Sequence, residues 1–208
     1  MIMPDVEAWL DRLNVSRVSR PKLELYVNLL LTWQARINLI GPTTAPAVWE
    51  RHILDSLQLL PLMPERTRVI AELGSGAGIP GLVLAIASGY EANLYESNGK
   101  KAAFLREAAR QCGAKAHIHV MRIESLAGGV NLPKIDCVVA RALAPLPLLL
   151  DYAEAFLSQG AIGLFHKGQD VDAELTEATK YWKMKVTKHA SLFDSRGTIL
   201  KIREATRV

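Results

Sequence analysis

Apolar residues recur at steps of three and four along the first part of the chain. One stripe follows Pro21, ends at Gly41-Pro42, and consists of Leu23, Tyr26, Leu30, Trp33 and Ile37. A second stripe follows Thr44 and Pro46 and consists of Trp49, Ile53, Leu57 and Leu60. Because this spacing places apolar side chains on one face of a helix, residues 4–60 are predicted to be helical.

From residue 68 onward, short runs rich in β-branched residues alternate with helical segments. The predicted strands are Val69–Leu73, Ala92–Glu96, Ala116–Met121, Ile135–Ala140 and Ala161–His166. The predicted helices are Ile79–Ser88, Asn98–Cys112, Pro145–Leu157 and Val171–Lys180. This alternation is typical of βαβ units and a parallel sheet. The last two runs, Lys183–His189 and Thr198–Ile202, have no helix between them and predict an antiparallel pair at the sheet edge.

The predicted fold class is therefore α/β, with a Rossmann-like and mostly parallel sheet. Residues 1–66 would form an N-terminal helical extension and residues 67–208 the sheet domain, the two making one compact unit. The chain has 208 residues, half of them hydrophobic, which is enough to bury one core. Its two cysteines, Cys112 and Cys137, are too few for a disulfide framework or a cysteine-rich metal site.

The N-terminus carries Asp5 and Glu7 where a signal peptide would carry positive charge. The longest uncharged interval, 73–90, is interrupted by glycines, and its continuous apolar part is too short to span a bilayer. We therefore expect a cytoplasmic monomer with no membrane partner. The formal net charge of +4 is compatible with a nucleic-acid partner and does not by itself establish one.

A glycine-rich turn, Glu72–Gly81, follows the first predicted strand and opens a helix. Gly76, Gly78 and Gly81 fit the GxGxxG spacing of dinucleotide-binding proteins, which would suggest an NAD-linked oxidoreductase. Gly74, Gly76 and Gly78 fit GxGxG directly after an acidic residue. In the dinucleotide motif the first glycine closely follows the strand. That glycine here is Gly74, whose third partner would be Ile79, so the second spacing fits better.

Two acidic residues indicate what the turn would bind. Glu96 ends the second predicted strand, where a carboxylate can accept both hydroxyls of a ribose. Glu72 lies beside the turn, where it would repel a pyrophosphate but suit a cationic ligand. S-adenosylmethionine has an adenosine, an ammonium and a sulfonium, and no phosphate. It is therefore the expected cofactor, with Glu72, Gly74, Gly76, Gly78 and Glu96 as candidate contacts.

Further candidates follow the later strands. Ile123 could lie against an adenine ring, with Glu124 beside it, although a solvated loop charge is the simpler interpretation of Glu124. Arg141 leaves an apolar strand for the cleft and should meet an anion or a carboxylate, such as Asp55 or Glu72. Lys167 ends the fifth strand and could contact RNA phosphate. Arg141 and Lys167 are therefore candidates for positioning the substrate.

His52 and Asp55 lie one helical turn apart. They could form half of a metal site or an acid/base pair, but no second His/Asp cluster supplies further ligands. Packing of the helical region against the sheet is the preferred interpretation, and no metal site is predicted. The residues also suggest no catalytic nucleophile, which suits methyl transfer because that reaction mainly requires alignment of donor and acceptor.

The chain resembles the glucose-inhibited division protein B family, bacterial methyltransferases that make 7-methylguanosine in small-subunit (16S) ribosomal RNA. The matching stretches are WQARINLI (33–40), RHILDSL (51–57), GSGAGIPG (74–81), ESNGKKAAFL (96–105), RALAPL (141–146) and Lys167-Gly168. The combination of RHILDSL with GSGAGIPG makes the resemblance specific. It covers most of the chain between about residues 26 and 168.

The resemblance implies a class I methyltransferase sheet that uses S-adenosylmethionine, with ribosomal RNA or a ribosomal subunit as partner. It implies cofactor contacts at Gly74, Ile79, Ile123, Glu124 and Arg141, with Glu96 on the ribose. Three positions depart from the family pattern: Glu72 replaces an aspartate, Gln34 replaces an asparagine, and MRIES (121–125) replaces R-A-E-E. Two alternatives remain at this point, an NAD-linked oxidoreductase and a noncatalytic nucleotide-binding module that docks on the ribosome.

Overall fold

A computed structural model describes residues 4–126 and 132–208 of the chain. The strands are β1 Val69–Leu73, β2 Glu91–Tyr95, β3 Ala116–His119, β4 Cys137–Arg141, β5 Ile162–Lys167, β6 Trp182–Ala190 and β7 Thr198–Arg207. The helices are α1 Pro4–Arg12, α2 Arg20–Gln34, α3 Asp55–Leu57, α4 Gly81–Ser88, α5 Gly99–Cys112, α6 Leu146–Leu157 and α7 Val171–Ala178.

Within these residues the strands form one sheet in the order β3-β2-β1-β4-β5-β7-β6. The first five strands pair in parallel, whereas β7 pairs antiparallel with both β5 and β6. The predicted α/β class, Rossmann-like sheet and antiparallel edge pair are confirmed. From β1 the chain proceeds to β2 and β3 on one side and later to β4 and β5 on the other. Ligand sites of open α/β sheets lie at the strand ends where this order reverses.

Local sequence explains where the helices beside the cleft begin and end. The Asn98 side chain caps α5 by accepting hydrogen bonds from the backbone N–H groups of Lys100 and Lys101. Gly113 ends α5 with a φ of 62°, a left-handed conformation that glycine adopts without a Cβ clash. Every residue of α4 from Gly81 to Ala87 is buried, which explains why this helix has no polar face.

The segment after Thr44 differs from the single helix that its apolar stripe predicts. It consists of a 3-10 turn, Ala45–Ala47, a π-helical stretch, Trp49–Leu54, and the short α3. The Ser56 hydroxyl donates to the His52 carbonyl at 2.6 Å, a side-chain bond that competes with the regular helical ladder. Such π-helical turns are frequent at functional sites, and this one faces the cleft.

The first predicted helix also ends earlier than Gly41, because the Gln34 side chain organises the chain that follows. Its Oε1 accepts hydrogen bonds from the backbone N–H groups of Leu39 and Ile40 at 2.8 and 2.9 Å. Its Nε2 donates to the Ile40 carbonyl at 2.8 Å. These three bonds replace the helical ladder and fix the segment that leads to Gly41.

The helical extension shares a hydrophobic core with the sheet domain. Buried residues of α1 and α2 belong to the same cluster as those of α4, α5, β1 and β2. The Tyr26 hydroxyl donates to the Ala77 carbonyl at 2.6 Å, which joins α2 to the glycine turn. The division into residues 1–66 and 67–208 stays a prediction. In the described part of the chain, no helix has the length and apolar character needed to cross a bilayer.

Candidate functional site

The glycine turn connects β1 to α4 at the carboxyl edge of the sheet. Gly74, Gly76 and Gly78 have φ values of 66°, 54° and 80°, a region in which other residues are strained. A Cβ on Gly74 would lie 2.5 Å from the Leu143 side chain. At Gly76 the nearest heavy atom to such a Cβ would be 3.9 Å away. The space over Gly76 is therefore open to a ligand.

Glu96 follows β2 and is held by the turn itself. One carboxylate oxygen accepts the Gly76 backbone N–H at 2.8 Å, and the other accepts the Asn98 backbone N–H at 2.7 Å. A carboxylate has about four acceptor positions, so about two remain for a ligand. The carboxylate is thus fixed in orientation while it keeps the capacity to accept two hydroxyls.

A cavity of about 420 Å³, here called cavity A, extends from Glu96 along the strand ends. Its wall contains the glycine turn, the residues after β3 and part of α6: Gly74, Gly76, Tyr95, Glu96, Ser97, Lys101, Met121, Arg122, Ile123, Glu124, Leu143, Ala144, Pro145, Leu148 and Tyr152. The Tyr152 hydroxyl lies 3.4 Å from a Glu124 carboxylate oxygen. Cavity A therefore has carboxylates, two cations and several apolar side chains in its wall.

A second cavity of about 310 Å³, cavity B, lies on the other side of the glycine turn. Its wall is formed by Leu39, Ile40, Gly41, Thr44, His52, Gly74, Ser75, Gly76, Ala77, Ile79, Arg141 and Ala142. His52 Nε2 lies 2.8 Å from the Thr44 hydroxyl. Burial lowers the pKa of His52 to about 4, and the nearby Arg141 acts in the same direction. His52 is therefore a neutral imidazole at neutral pH.

A third cavity of about 450 Å³, cavity C, lies between the ends of β4, β5 and β7. Arg141 lines both cavity B and cavity C. Its Nη1 lies 3.0 Å from Asp55 Oδ2, and its Nη2 donates to the Arg51 carbonyl at 2.8 Å. Asp55 also accepts from Gln58 Nε2 at 2.6 Å. The ion pair of Arg141 with Asp55, expected as one alternative from the sequence, is thus present.

His166 completes this group from β5. Its Nε2 lies 2.9 Å from the Asp55 backbone carbonyl. Burial lowers the pKa of His166, and the Asp55 carboxylate partly opposes that shift. His52 and Asp55 therefore have different partners and do not act as a pair. Among the described residues, no group of three or more His, Cys, Asp or Glu side chains is arranged to hold a metal ion.

The three cavities meet at one segment. Arg141 and Ala142 border cavities B and C, while Leu143, Ala144 and Pro145 border cavities A and C. Gly74 and Gly76 border cavities A and B. The arrangement can hold an elongated ligand along the glycine turn and a second molecule across the 141–145 segment.

Comparison with known proteins identifies the family. The family described as "GidB: rRNA small subunit methyltransferase G" matches residues 19–201. The chain is 49% identical to the ribosomal RNA small subunit methyltransferase G of Rhodospirillum rubrum, over 97% of this chain and 98% of the relative. The chain belongs to the GidB family.

A second GidB relative, the ribosomal RNA small subunit methyltransferase G of a Bradyrhizobium species, is also 49% identical. That match covers 97% of this chain and 92% of the relative. Among solved structures, a ribosomal protein L11 methylase of Lactobacillus delbrueckii subsp. bulgaricus matches with a TM-score of 0.58 and 16% identity. It covers 74% of this chain and 78% of that chain, and this likeness supports the class I methyltransferase fold.

The structure brings most of the site residues predicted for this GidB chain to the cavity walls. Gly74, Gly76, Glu96, Ile123 and Glu124 line cavity A. Ile79 and Arg141 line cavity B. Gly78 does not line either cavity, because it packs against Leu82 and Leu105 and gives the turn its shape. The roles of all these residues in binding stay predictions.

Glu72 lies elsewhere. It is 1% exposed and packs under the start of α4, where a Cβ on Gly81 would lie 2.7 Å from its Oε2. Neither carboxyl oxygen has a hydrogen-bond partner within the described ranges. Burial raises the pKa of Glu72 to about 8. The expected direct contact with a cationic ligand does not fit this position, because the side chain lies beneath the turn and lines none of the three cavities.

We expect Glu72→Gln to change how stability depends on pH. The unfolded chain releases the Glu72 proton near the ordinary pKa of 4.5, whereas the native protein keeps it up to about 8. The native state then binds more protons in this window, so its stability falls as pH rises, by up to about 1.4 kcal/mol per pH unit. Denaturant unfolding of Glu72→Gln between pH 5 and 8 should lack this decline. Glu65→Gln, which changes an exposed glutamate, is the control and should keep the decline. If the unfolding free energies of wild type and Glu72→Gln changed with pH in the same way, Glu72 would not be a buried acid that keeps its proton up to about pH 8.

Lys167 has an internal partner. Its side chain is 7% exposed, and its Nζ lies 2.5 Å from Glu174 Oε2 and donates to the Ala144 carbonyl at 2.9 Å. Lys167 also lines cavity C, so a phosphate that entered this cavity would compete with Glu174 for its ammonium group. The contact of Lys167 with RNA phosphate stays a prediction.

Sequence reasoning missed several residues of the site. Leu143 and Tyr152 were not singled out, although both line cavity A. Glu174 also escaped notice, because it belongs to a helix with several acidic residues and nothing local distinguishes it from a solvated charge.

Proposed function

We propose that this chain transfers a methyl group from S-adenosylmethionine to N7 of a guanine in small-subunit ribosomal RNA. S-adenosylmethionine-dependent methylation of ribosomal RNA is the activity named for the GidB family and its relatives. The observation that carries the proposal is the Glu96 carboxylate, fixed by Gly76 and Asn98 beside an open glycine turn. The choice of N7 rests on the family resemblance.

The residues present fit the cofactor. Glu96 would accept the two ribose hydroxyls with its remaining lone pairs. Ile123 and Glu124 would contact the adenine in cavity A, which lies against apolar walls. The methionine end would pass the turn at Gly74 and Gly76 and reach cavity B, where Arg141 lies. When bound, S-adenosylmethionine supplies an electrophilic methyl group on a sulfonium.

The chain's own residues mainly provide alignment. Guanine N7 has a lone pair in the plane of the ring, so the acceptor needs no general base. A preorganised cleft can stabilise the shift of positive charge from donor to base. Arg141 stays protonated throughout, which suits it to orient a reactant and not to carry a proton. The alternative of an NAD-linked oxidoreductase, like that of a noncatalytic module, has no support from the relatives.

His52→Gln should leave most of the activity intact. His52 is neutral at neutral pH because burial lowers its pKa to about 4, so it does not titrate where the enzyme would work. Glutamine keeps a polar group that can bond the Thr44 hydroxyl. Initial rates between pH 6 and 9 should show the same profile for wild type and variant. A bell-shaped profile that disappears in His52→Gln would instead make His52 a proton-transfer residue.

The proposed enzyme works in the cytoplasm as a monomer, and the residues of a single chain are sufficient to form the walls of the three cavities. Its partner is small-subunit ribosomal RNA, alone or within the subunit. Arg122 is an exposed cation in the wall of cavity A and is therefore a further candidate for a phosphate contact. Such contacts would make RNA affinity fall as salt rises.

The test is incorporation of labelled methyl groups from S-adenosylmethionine into RNA. Unmodified small subunits and free small-subunit RNA should be compared as acceptors, with large-subunit RNA as the control. Label in small-subunit RNA alone supports the proposal. A different result is that calorimetry shows S-adenosylmethionine to bind while neither the small subunit nor free small-subunit RNA incorporates label. That result would favour a noncatalytic module.

A further inference from the structure

The segment 141–146 forms a common wall of the three cavities, so its position decides how a cofactor and an acceptor face each other. Arg141 and Ala142 border cavities B and C, and Leu143, Ala144 and Pro145 border cavities A and C. The chain then enters α6 at Leu146. A movement of this segment would change the shape of all three cavities together.

The backbone of segment 141–146 is strained, so contacts from other parts of the fold must maintain its conformation. Ala142 has a φ of 51°, in the left-handed region that residues with a Cβ seldom adopt. Such a conformation persists only where the surrounding structure fixes it. Leu143, the next residue, projects over Gly74 and leaves no room there for a Cβ. Contacts at both ends of the segment must therefore keep it in place.

The first end is held by Arg141, whose guanidinium forms an ion pair with Asp55 and donates a hydrogen bond to the Arg51 carbonyl. The second end is held by a pair from β5 and α7. Lys167 Nζ donates to the Ala144 carbonyl at 2.9 Å, and Glu174 Oε2 accepts the Leu146 backbone N–H at 2.6 Å. The two side chains lie 2.5 Å apart. We call this pair, Lys167 with Glu174, the loop clamp.

The loop clamp has the features of a positioning device. Each of its members makes one hydrogen bond to the backbone of the segment, on either side of Pro145, which has no N–H to donate. Lys167 is 7% exposed, so water competes little with its bond, whereas Glu174 is 23% exposed at the wall of cavity C. The ion pair between the two side chains sets their separation and therefore the separation of their backbone partners.

We propose that Glu174 is a positioning residue for methyl transfer, which acts with Lys167 to fix segment 141–146 between the cofactor and the acceptor base. This inference rests on the proposed function, since it assigns the segment a place in that reaction. Glu174 and Lys167 line cavity C next to the segment, and Glu174 accepts the Leu146 backbone N–H at 2.6 Å, so this bond acts through the segment. Misplacement by about 1 Å can lower a rate on the order of 100-fold.

The experiment compares single-turnover rates, KM for RNA and cofactor affinity across matched variants. In Glu174→Ala we expect kcat to fall on the order of 10- to 100-fold, with a smaller change in cofactor affinity. Glu174→Gln keeps the acceptor oxygen at the same position and should recover most of the rate. Glu177→Ala, which removes an exposed carboxylate from the same helix, should match wild type.

A double variant separates positioning from simple charge compensation. Lys167→Met with Glu174→Leu removes both buried charges at similar volume, which should preserve folding. It also removes both hydrogen bonds to the segment, so kcat should stay low although the unfolding midpoint is close to wild type. A double variant with the wild-type kcat would overturn the proposal, and so would a folded Glu174→Ala with full kcat.

Different results would contradict the methyltransferase activity and the role of the loop clamp. A wild-type chain that binds S-adenosylmethionine but transfers no methyl group would contradict the proposed function. An active wild type whose Glu174 variants lose unfolding free energy but no kcat would contradict the loop clamp alone.

Discussion

Arg141→Ala is expected to lower kcat on the order of 100-fold, because the start of segment 141–146 loses its anchor. The guanidinium forms an ion pair with Asp55 and donates to the Arg51 carbonyl, and alanine replaces neither contact. Asp55 is 4% exposed and would keep a buried charge without its cation. Breaking such a pair costs on the order of 3 kcal/mol of unfolding free energy. Rates and denaturant unfolding of the same preparation would check both effects.

Arg141→Lys separates the effect on kcat from the effect on unfolding free energy. Lysine keeps a positive charge near Asp55, so stability should largely return. One ammonium cannot reproduce the planar fork that reaches both Asp55 and the Arg51 carbonyl, so kcat should remain low. Arg110→Ala, a substitution of an exposed arginine on α5, is the control. A folded Arg141→Ala with wild-type kcat would show that this arginine has no part in the reaction.

Glu96→Ala should weaken S-adenosylmethionine binding by about 2–3 kcal/mol, which is roughly 30- to 150-fold in Kd. Alanine removes the acceptor for the ribose and also releases the N–H groups of Gly76 and Asn98. Isothermal titration calorimetry measures the loss directly. The affinity for S-adenosylhomocysteine should fall as much as the affinity for S-adenosylmethionine, because both molecules have the same ribose.

Glu96→Gln provides the matched comparison. Its amide oxygen can still accept one backbone N–H, so the turn should keep more of its shape, while one ribose acceptor is lost. We expect its affinity to lie between those of wild type and Glu96→Ala. Gly76→Val, which places a side chain where φ is 54°, should abolish binding. If Glu96→Ala and Gly76→Val bound S-adenosylmethionine with the wild-type Kd, the cofactor site would not be in cavity A.

Local signals in the sequence explain why the sheet could be predicted. Val69–Leu73 forms a strand with the predicted bounds, because its apolar run ends at a glycine turn. Glu96 and Gly76 are twenty residues apart, but each follows one of two adjacent parallel strands. The ends of these strands lie side by side, which brings the two residues into contact. The extent of the last strand was underestimated, because β7 continues to Arg207 by pairing with β6.

Pairings between distant residues could not be predicted in the same way. The ion pair of Arg141 with Asp55 was one of two alternatives, and only the packing of the helical extension selects it. Lys167 is a lysine at the end of a strand, which in the sequence suggests a phosphate contact. Its ion pair with Glu174 on α7 could not be predicted from the sequence. The π-helical stretch after Val48 has the same apolar spacing as an ordinary helix, so the spacing does not reveal it.

Methylation of guanine N7 by this chain should leave 7-methylguanosine at one place in small-subunit ribosomal RNA. Mass spectrometry of nucleosides and fragments from this RNA, taken from cells with and without the protein, measures it. We expect 7-methylguanosine to disappear from one fragment in cells that lack the protein and to return with the wild-type chain but not with Arg141→Ala. An unchanged 7-methylguanosine content, or loss of a different methylated nucleoside, would contradict this activity.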